Sequence, residues 1–354
     1  MDQEYRHRLE KIEAALGQWL PASMESPGIK EIFPGVDLTV CCDKNRDILF
    51  EPGKDILSRG GKRWRPLLMT LVCESLGGGD AAIPLAPLVE FSHNASLIHD
   101  DIEDDSDQRR GKPAVHIIYG VDTAINSGAF LYFLSLTCIE SEAAKASGAA
   151  DNKERLYRLW AEHMRRLHLG QAMDISWHRD IKLVPTLEEY YIMCGLKTGS
   201  LARLAAETGA YAAKASPEAA RQLGEAAEKL GIGFQILDDV KNLTTGIPGK
   251  KRGDDIIEGK KSLPVLLYLH KFPAKREKVF FSFYEAKTEG FAVPEVEELI
   301  ETMTSCGVIA EAEEKGRSFI EDARKILSAP EQFAVNADGA ASGALLAGLI
   351  NLIS

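Results

Sequence analysis

Two groups of aspartates, each following an apolar stretch, are the residues of this sequence best suited to chemistry. The first group lies in LIHDDIEDDSDQRRGKP, residues 97–113. Asp100 and Asp104 are four residues apart, as are Asp101 and Asp105, so on a helix each pair shares one side with Cβ atoms about 5–6 Å apart. Like charges at that spacing destabilise a helix, and at its C-terminus they also oppose the helix dipole. The pattern therefore indicates a compensating cation.

Mg2+ is the cation that fits this group best. It takes one or two carboxylates and completes its shell with water and substrate phosphate oxygens. A solvated acidic patch is the alternative, but the apolar residues directly before the group favour a position at the mouth of a buried helix. Zinc bound by His93 and His99 is less favoured, because their spacing presents no tight tetrahedral set and lone histidines are more often hydrogen-bonded core residues.

A second acidic group occurs in GFQILDDVKN, residues 233–242, again after a long helical stretch. Asp238 and Asn242 are four residues apart, and Asp239 lies beside them. Two acidic helix ends that face each other across a bundle would clamp a diphosphate through Mg2+ bridges. Two unrelated acidic turns are the alternative, which basic segments near both groups make less favourable.

Several basic segments stand out in a chain that is otherwise acidic. Arginine offers phosphate a planar fork of donors, and lysine offers a point charge. Any one segment could be a solvated turn, and Lys250–Arg252 alone is best explained that way. Together with the aspartates, the segments predict a site for two phosphorylated groups, one held through metal and one directly by cations. They are GGKRWRP at 60–66, RRGK at 109–112, Lys197 with Thr198, and GKKRGDDIIEGKK at 249–261.

The composition is that of an ordinary globular protein of 354 residues, 45% hydrophobic and 27% charged. Its 42 Lys and Arg against 53 Asp and Glu give a net charge of -11, which disfavours non-specific binding to DNA, RNA or anionic lipid. Six cysteines without a CxxC pair predict reduced, mostly buried thiols in a cytoplasmic protein. A charged N-terminal segment and no apolar run of membrane-spanning length predict a soluble protein.

Helix formers at helical spacing dominate the chain, and alternating strand patterns are nearly missing. The pattern predicts an all-α protein of one domain, with an N-terminal helix and loop over residues 1–46 and the main helical domain over 47–354. The apolar stretch 82–104 is expected inside the bundle. Helices are predicted at about 2–20, 63–76, 82–104, 121–147, 152–178, 187–213, 217–243, 262–271, 274–288, 294–305, 308–327 and 338–353.

These motifs, in this order, resemble the trans-isoprenyl diphosphate synthases (polyprenyl synthetases), head-to-tail prenyltransferases of the farnesyl and geranylgeranyl diphosphate synthase type. The likeness runs from about Gly60 to Pro264, well over half the chain. A series of motifs in one order is far more specific than any single motif. The motifs are GGKRWRP, HNASLIHDDIEDDSDQRRGKPAVH, GQAMDISW, LKTGSL, GFQILDDVKNL and GKKRGDDIIEGKKSLP.

The resemblance implies an isoprenoid synthase-type bundle around a deep apolar cavity, with residues 47–354 as the catalytic domain and a homodimer as the assembly. It also implies that an allylic diphosphate is joined to isopentenyl diphosphate, with Mg2+ as the cofactor. The metal ligands would be Asp100, Asp104 and Asp238. The catalytic residues would be these three aspartates together with Asp101, Arg109, Lys197 and Asp239. Isopentenyl diphosphate would be held by Lys62, Arg65, His93 and Arg110, with Arg63 as a further substrate-binding residue. The allylic diphosphate would be held by Arg109, Lys197, Thr198, Gln235, Lys250 and Lys260, and Gln171 and Asp174 match positions that support this network.

The chemistry of such a reaction explains these residue types. Departure of diphosphate from an allylic C–O bond leaves a carbocation and a highly charged leaving group, which Mg2+ and fixed cations stabilise. The cation must meet a C=C bond before water does, so the reacting carbons need a dry, preorganised pocket. The resemblance implies that the departing diphosphate takes the final proton, in line with a sequence that offers no evident protein base.

The second acidic motif departs from that of many relatives at its fifth position, where Asn242 stands in place of an aspartate. An amide can offer an oxygen to a metal or its water, but without charge. This DDxxN form resembles the eukaryotic-like geranylgeranyl diphosphate synthases, and the likeness extends over residues 119–136 and 175–201.

Product length is expected to depend on where a bulky side chain floors the cavity. Ala95 and Ser96 precede Asp100 by five and four residues, and both are small, so the aromatic plug of short-chain members is missing. Phe91 lies four residues earlier on the same stripe, about 6 Å away by helix rise. Packing in the core is the alternative role for such aromatics. We expect a C20 product, with C15 and longer chains as alternatives. The next predicted helix offers further candidates for the floor in Phe130, Tyr132 and Phe133.

Two other functions share part of this pattern. A class I terpene cyclase also has the aspartate cluster, Mg2+ and a helical bundle, but it needs no second subsite, against which GGKRWRP, His93 and the RRGKP turn argue. A non-catalytic subunit would keep the fold and lose its aspartates, whereas the first motif is complete here. A plain structural bundle is the remaining alternative, which the series of motifs makes unfavourable.

Overall fold

The computed structural model describes residues 3–26, 28–246, 252–280, 282, 294–329, 333 and 340–353. Over these ranges the regular secondary structure is helical apart from a short antiparallel ladder, in which β1 (Gln108–Arg109) pairs with β2 (Lys112–Pro113). The all-α fold class is confirmed. The helices are α1 (Gln3–Gly17), α2 (Ile29–Ile32), α3 (Asp43–Ser58), α4 (Trp64–Ser75), α5 (Ala86–Glu103), α6 (Val115–Tyr119), α7 (Val121–Thr137), α8 (Glu142–Ala146), α9 (Lys153–Arg179), α10 (Leu187–Cys194), α11 (Ser200–Ala212), α12 (Pro217–Leu243), α13 (Asp254–Ile257), α14 (Leu263–Lys271), α15 (Pro294–Ser305), α16 (Val308–Leu327) and α17 (Ala340–Ile353).

The predicted loop before the main domain is wrong in two places. The short helix α2 lies within it, and α3 begins at Asp43 and runs through residues for which no helix was predicted. Pro52 and Gly53 weaken the local helical signal there. The helix nevertheless forms because its apolar face, which includes Phe50 and Ile56, is buried and packs on α7. Tertiary packing thus outweighs local propensity in this segment.

Two further predicted helices are interrupted. The stretch predicted over 121–147 is divided into α7 and α8 by a 3-10 turn at Cys138–Glu140. The stretch predicted over 187–213 is broken by a π-helical turn at Gly195–Gly199. The predicted helix at 274–288 extends into residues outside the described ranges.

The chain divides into two compact units. The first comprises residues 1–162, 201–225 and 326–349, and the second comprises residues 163–200, 226–325 and 350–354.

In the first unit, α5 is the central helix. It packs against α1, α3, α4, α6 and α7 and is buried around most of its circumference, as predicted for the stretch 82–104. The few polar side chains that it carries inward, among them Glu90 and Asn94, are hydrogen-bonded. Because α5 is buried, its packing fixes the position of its last turn, which carries the first acidic motif.

The second unit has its own hydrophobic core, built by the C-terminal half of α9 with α10, α12, α14, α15 and α16. Side chains such as Trp177, Tyr190 and Ile236 are almost fully buried in it. This core holds the second half of α12, which carries the second acidic motif.

The cysteines are free thiols. Cys73, Cys138 and Cys194 are buried and Cys42 is exposed, so the prediction of mostly buried thiols holds for half of them; the other two, Cys41 and Cys306, are half-buried. Burial raises the pKa of Cys73 and of Cys138 to about 12. Within the described ranges, the helices lack the combination of length and apolar character that a bilayer-crossing segment needs.

Candidate active site

The first acidic motif lies at the end of α5. Asp100 and Asp101 belong to its last turn, and Asp104 follows the helix with helical backbone angles, so the predicted pairing of Asp100 with Asp104 is retained. Asp105 has a left-handed backbone (φ 54°), and the Ser106 N–H donates to the Asp101 carbonyl at 2.9 Å. The predicted helical pairing of Asp101 with Asp105 is therefore wrong, because the helix has ended.

Arg109, on β1, supplies a protein cation to this motif. Its Nε donates to Asp101 Oδ1 at 2.8 Å, and its Nη2 lies 3.5 Å from Asp100 Oδ2. Asp101 is fully buried, and burial raises the pKa of its carboxyl against the opposing effect of Arg109. Its second oxygen, Oδ2, is buried with no hydrogen-bond partner. Arg109 therefore offsets part of the repulsion that the sequence pattern indicated.

Arg59 braces the hairpin that carries Arg109. Its guanidinium forms a two-point ion pair with Asp55 (3.2 and 2.6 Å) and donates to the backbone carbonyls of Arg109 (3.2 Å) and Pro113 (2.9 Å). The end of α3 is thereby joined to both strands. Arg59 lies just before the first basic motif, and no sequence pattern marked it as a site residue.

Arg110 lies against the loop before α4. Its guanidinium donates to the Ile56 carbonyl at 3.1 Å and to the Gly60 carbonyl. A Cβ at Gly61 would lie 3.2 Å from Arg110 Nη2, so glycine lets the guanidinium approach the backbone. The structure thus brings Arg110 to the GGKRWRP segment, as the predicted shared role requires.

Arg65 and His93 also come together, at the start of α4 and in the middle of α5. Arg65 Nη1 lies 3.4 Å from His93 Nε2, and the guanidinium carbon lies 4.4 Å from the ring centroid of Trp64. Burial, reinforced by the positive charge of Arg65, lowers the pKa of His93 well below its usual value. His93 is therefore a neutral imidazole beside a guanidinium. Of the other two cations in the segment, Lys62 is exposed and Arg63 is buried among hydrogen-bond partners within the protein.

In the second unit, the π-helical turn at 195–199 lies between two helices that meet it at glycines. A Cβ on Gly170 of α9 would lie 2.4 Å from the Lys197 backbone nitrogen. A Cβ on Gly231 of α12 would lie 2.7 Å from the Gly199 Cα. No side chain fits at either contact, so both helices approach the turn at backbone distance. Single π-helical turns of this kind occur often at functional sites.

The π-helical turn presents two of the predicted site residues to partners in the same unit. Lys197 Nζ forms an ion pair with Asp174 Oδ2 at 2.6 Å. Asp174 lies on α9, three residues after Gln171. The Thr198 hydroxyl donates to Gln235 Oε1 at 2.8 Å. The structure therefore brings the GQ-x-x-D, KT and second aspartate motifs together.

Asp239, in the second acidic motif, is buried and fully engaged. Its Oδ2 accepts from the Tyr190 hydroxyl (2.6 Å) and the Leu263 N–H (3.0 Å), and its Oδ1 accepts from Gln235 Nε2 (3.0 Å). Burial raises the pKa of Asp239 to about 7. Asp238 beside it is half-buried. The two neighbouring carboxyl groups thus have different environments, with Asp239 tying α10, α12 and α14 together.

Comparison with known proteins agrees with this geometry. The family model described as Polyprenyl synthetase matches residues 46–303. The chain belongs to the polyprenyl synthetase family. It is 34% identical over 282 residues to the geranylfarnesyl diphosphate synthase of Aeropyrum pernix, covering 77% of this chain and 85% of that protein. It is also 34% identical over 285 residues to the geranylgeranyl diphosphate synthase of Methanosarcina mazei, covering 79% of this chain and 83% of that protein.

A solved structure of a geranylgeranyl pyrophosphate synthase matches this polyprenyl synthetase with a TM-score of 0.80 at 25% identity, covering 100% of this chain and 98% of that one. The predicted family and the isoprenoid synthase fold are thereby confirmed, and the chain is a prenyltransferase. The matched region begins before the first recognised motif at Gly60 and ends after the last at Pro264.

Asn242, the unusual position of this polyprenyl synthetase, is fully buried. Its Oδ1 accepts the Asp255 N–H at 3.3 Å, and its backbone carbonyl accepts the Gly253 N–H at 3.0 Å. The amide oxygen suggested as a contact for metal or water is thus directed to the backbone of α13. Asn242 therefore binds backbone groups within the last basic motif, residues 249–261.

That basic motif is only partly described. Lys260 Nζ pairs with Glu258 Oε2 at 2.7 Å. Lys261 is buried, and burial lowers its pKa to about 8 while its ammonium donates to the carbonyls of Trp177 (3.3 Å) and Gly259 (3.1 Å). Lys250 lies outside the described residues, and its predicted role stays a prediction.

The candidate product-length residues occupy different environments. Phe91 and Ala95 of α5 are fully buried, whereas Ser96 is half-buried. On α7, the Tyr132 ring is buried and stacks on His99 at 5.7 Å between centroids. On the same helix, 65% of Phe133 is exposed, and Phe130 packs between the rings of Phe33 and Phe50.

Sequence motifs identified few of the residues that hold the site residues in position. Glu90 and Tyr190 bind site residues from buried positions, and neither lies in one of the six quoted motifs. A single carboxylate within the apolar stretch of α5 was the available signal for Glu90, because a buried charge requires a partner. No comparable signal marks Tyr190, which resembles any core aromatic.

Proposed function

We propose that this chain is a Mg2+-dependent prenyltransferase that condenses isopentenyl diphosphate with an allylic diphosphate, head to tail, to give geranylgeranyl diphosphate. The observation that carries the proposal is that each unit combines an acidic helix end with its own set of cations and polar groups. In the first unit this set includes Arg65, His93 and Arg110, and in the second it includes Lys197 and Thr198. Two phosphorylated substrates and a divalent metal account for both sets.

The donor chemistry of the acidic motifs fits Mg2+. Asp100, Asp104 and Asp238 offer hard carboxylate oxygens, and we propose them as the residues that hold the metal. Within the described ranges, no three His, Cys, Asp or Glu side chains converge as a self-sufficient metal cage. Mg2+ completes its shell with water and substrate phosphate oxygens, so it needs only one or two protein carboxylates. When bound, Mg2+ supplies charge neutralisation to the departing diphosphate.

The side chains of the chain itself bind and orient the two diphosphates. Lys62, Arg65 and Arg110 would hold isopentenyl diphosphate, and the neutral His93 beside Arg65 can donate a hydrogen bond without adding charge. Lys197 and Thr198 would hold the allylic diphosphate, with Arg109, Gln235, Lys250 and Lys260. Fixed donors of this kind stabilise negative charge as it develops on the leaving diphosphate.

The product-length proposal rests on the first unit. Ala95 and Ser96 are small side chains about one turn before the first motif, and Tyr132 is a buried aromatic on the neighbouring helix α7. Because Phe133 is largely exposed, Tyr132 is the better candidate for a floor. We propose a C20 product, because relatives that cover most of the chain include geranylgeranyl diphosphate synthases.

We propose a homodimer because α6 and α7 expose an apolar stripe. Val121, Ile125 and Phe133 repeat every four or eight residues on α7, and each is about half exposed or more. Ile117 and Ile118, on the preceding helix α6, are also about half exposed. A set of exposed apolar side chains at helical spacing is typical of a protein contact. The free cysteines favour a reducing compartment, which supports a cytoplasmic location.

The test is an incubation of purified protein with Mg2+, radiolabelled isopentenyl diphosphate and each allylic primer in turn, followed by sizing of the products. We expect a C20 product only when both substrates are present. Asp100→Asn, which keeps the side-chain size, should lower turnover at least about 100-fold because it removes a proposed metal ligand. Asp107→Asn, an exposed acid of the same segment, should leave turnover unchanged.

Turnover of a long prenyl diphosphate without isopentenyl diphosphate would instead identify a terpene cyclase. Activity that appears only after a second protein is added would identify a subunit of a larger enzyme.

A further inference from the structure

Arg63 has an environment unlike that of the other cations in its motif. Its side chain is 5% exposed, and each nitrogen of the guanidinium is hydrogen-bonded within the protein. Nε donates to Glu13 Oε1 at 2.7 Å, Nη1 donates to Glu90 Oε1 at 2.9 Å, and Nη2 donates to the Leu57 carbonyl at 2.7 Å. These contacts occupy the planar fork that would otherwise bind a phosphate.

The backbone at Arg63 explains what these contacts hold in place. Arg63 has φ 46° and ψ 29°, a left-handed conformation that is uncommon for a residue with a side chain. It directly follows Lys62 and stands two residues before Arg65, after Gly60 and Gly61, which also have positive φ. Such conformations persist only where surrounding contacts stabilise them. The hydrogen bonds of the guanidinium are contacts of that kind.

The two carboxylates that hold Arg63 differ in their support. Glu90 is buried on α5, and Asn94 Nδ2 donates to its Oε1 at 2.9 Å, so the inner partner is fixed. Glu13 belongs to α1 and has a side chain that is 53% exposed, so the outer partner can be changed without opening the core. The clamp formed by Glu13, Arg63 and Glu90 therefore connects the N-terminal helix to the motif loop.

We propose that Arg63 is a positioning residue, not a substrate ligand, and that Glu13 on α1 is part of the same device. The clamp holds the left-handed turn that sets Lys62 and Arg65 in register for one diphosphate. The inference rests on the proposed function and assigns a role to the N-terminal helix, to which the motifs assign none.

The experiment compares steady-state kinetics of Glu13→Gln and Arg63→Lys with those of the unmodified protein, varying each substrate separately. For Glu13→Gln we expect the KM for isopentenyl diphosphate to rise about three- to five-fold, as befits a half-exposed ion pair. For Arg63→Lys, which loses the planar fork, we expect a rise of about ten-fold or more. In both variants kcat and the KM for the allylic diphosphate should stay unchanged, since the clamp touches only the first unit's loop.

Two variants on α1 serve as matched controls. Arg8 forms a two-point ion pair with Glu74 of α4, and Lys11 pairs with Asp80, so both attach α1 without contacting the motif loop. Arg8→Gln and Lys11→Gln should lower the thermal midpoint and leave both KM values unchanged. The double variant of Glu13→Gln with Arg63→Lys should raise KM no further than Arg63→Lys alone, because the two residues act as one unit.

The outcomes separate the inference from the proposed function. An unmodified protein that makes no product from the two substrates refutes the proposed function. An active protein in which Glu13→Gln behaves like Arg8→Gln, losing only thermal stability, overturns the inference. The inference is also overturned if Arg63→Lys raises both KM values equally, because a general loss of structure would affect both substrates alike.

Discussion

His93 shows how a single residue of the site depends on its surroundings. It lies near Arg63, Arg65, Arg109 and Arg110, and burial together with these charges lowers its pKa well below 6.5. The folded protein therefore holds His93 neutral at pH values where an unfolded chain would protonate it. A neutral ring can both accept from Arg65 and donate to a diphosphate, which a second cation could not do.

This environment predicts a pH dependence of stability. Above about pH 7 neither state protonates His93, so it adds no dependence. Below the unfolded pKa of about 6.5 the unfolded chain binds the proton, and stability falls by up to about 1.4 kcal/mol per pH unit. Both proteins should have a lower unfolding midpoint at pH 5.5 than at pH 7.5. We expect the decrease for His93→Gln to be smaller than that for the unmodified protein by about 2 °C or more. Parallel curves for the two proteins would contradict the proposed environment.

Among the elements, the π-helical turn at 195–199 depends on the helices beside it. Gly170 and Gly231 let α9 and α12 approach the turn at distances that exclude a side chain. The extra residue of a π turn shifts the backbone that follows, and here it presents Lys197 to Asp174 and Thr198 to Gln235. The positions of both residues therefore follow from the packing of three helices.

Gly170→Ala tests this arrangement. Its Cβ would come within 2.4 Å of the Lys197 nitrogen, so the turn must move. We expect a loss of about 1–3 kcal/mol in the free energy of unfolding, as for other overpacked sites. We also expect a higher KM for the allylic diphosphate, with the KM for isopentenyl diphosphate unchanged.

Gly17→Ala, whose Cβ at the end of α1 would meet nothing within 4 Å, is the control. It should leave both the stability and the kinetics close to those of the unmodified protein. If Gly170→Ala and Gly17→Ala had equal effects on the kinetics, the π-helical turn would have no specific role in binding the allylic diphosphate.

At the scale of the whole molecule, the apolar stripe of α6 and α7 is the surface that a second copy would cover. Exposed apolar side chains also occur singly elsewhere, such as Val40 at 84%. Isolated examples are normal on protein surfaces, whereas a stripe at helical spacing is not. The stripe therefore predicts that two copies of the chain associate, whereas the single exposed side chain of Val40 predicts no contact.

Ile125→Glu places a charge in the middle of the stripe and should convert the proposed dimer to a monomer, because burying an unpaired carboxylate is unfavourable. Light scattering coupled to gel filtration would measure the molar mass. Val40→Glu should remain dimeric. An unmodified protein that is monomeric at micromolar concentration, or an Ile125→Glu variant of unchanged mass, would refute the proposed interface.

Helical periodicity and motif order were sufficient to predict the all-α class, the family and the positions of most helices. They failed where local and tertiary preferences conflict. The helix α3 forms through Pro52 and Gly53 because its apolar face is buried, and Asp105 leaves the helix because the chain turns back to form β1. Neither outcome follows from propensity, since each depends on segments distant in sequence.

Residue types and their spacing along helices are local properties, so the chemical groups and their order can be read from the chain alone. Which of these groups face a substrate and which hold the scaffold depends on the folded arrangement. Arg63 meets Glu13, 50 residues away, and Glu90, 27 residues away. Arg65, two positions later, meets His93 instead. Two arginines of one short motif thus receive different partners, because the partner of a charge is set by packing between distant helices.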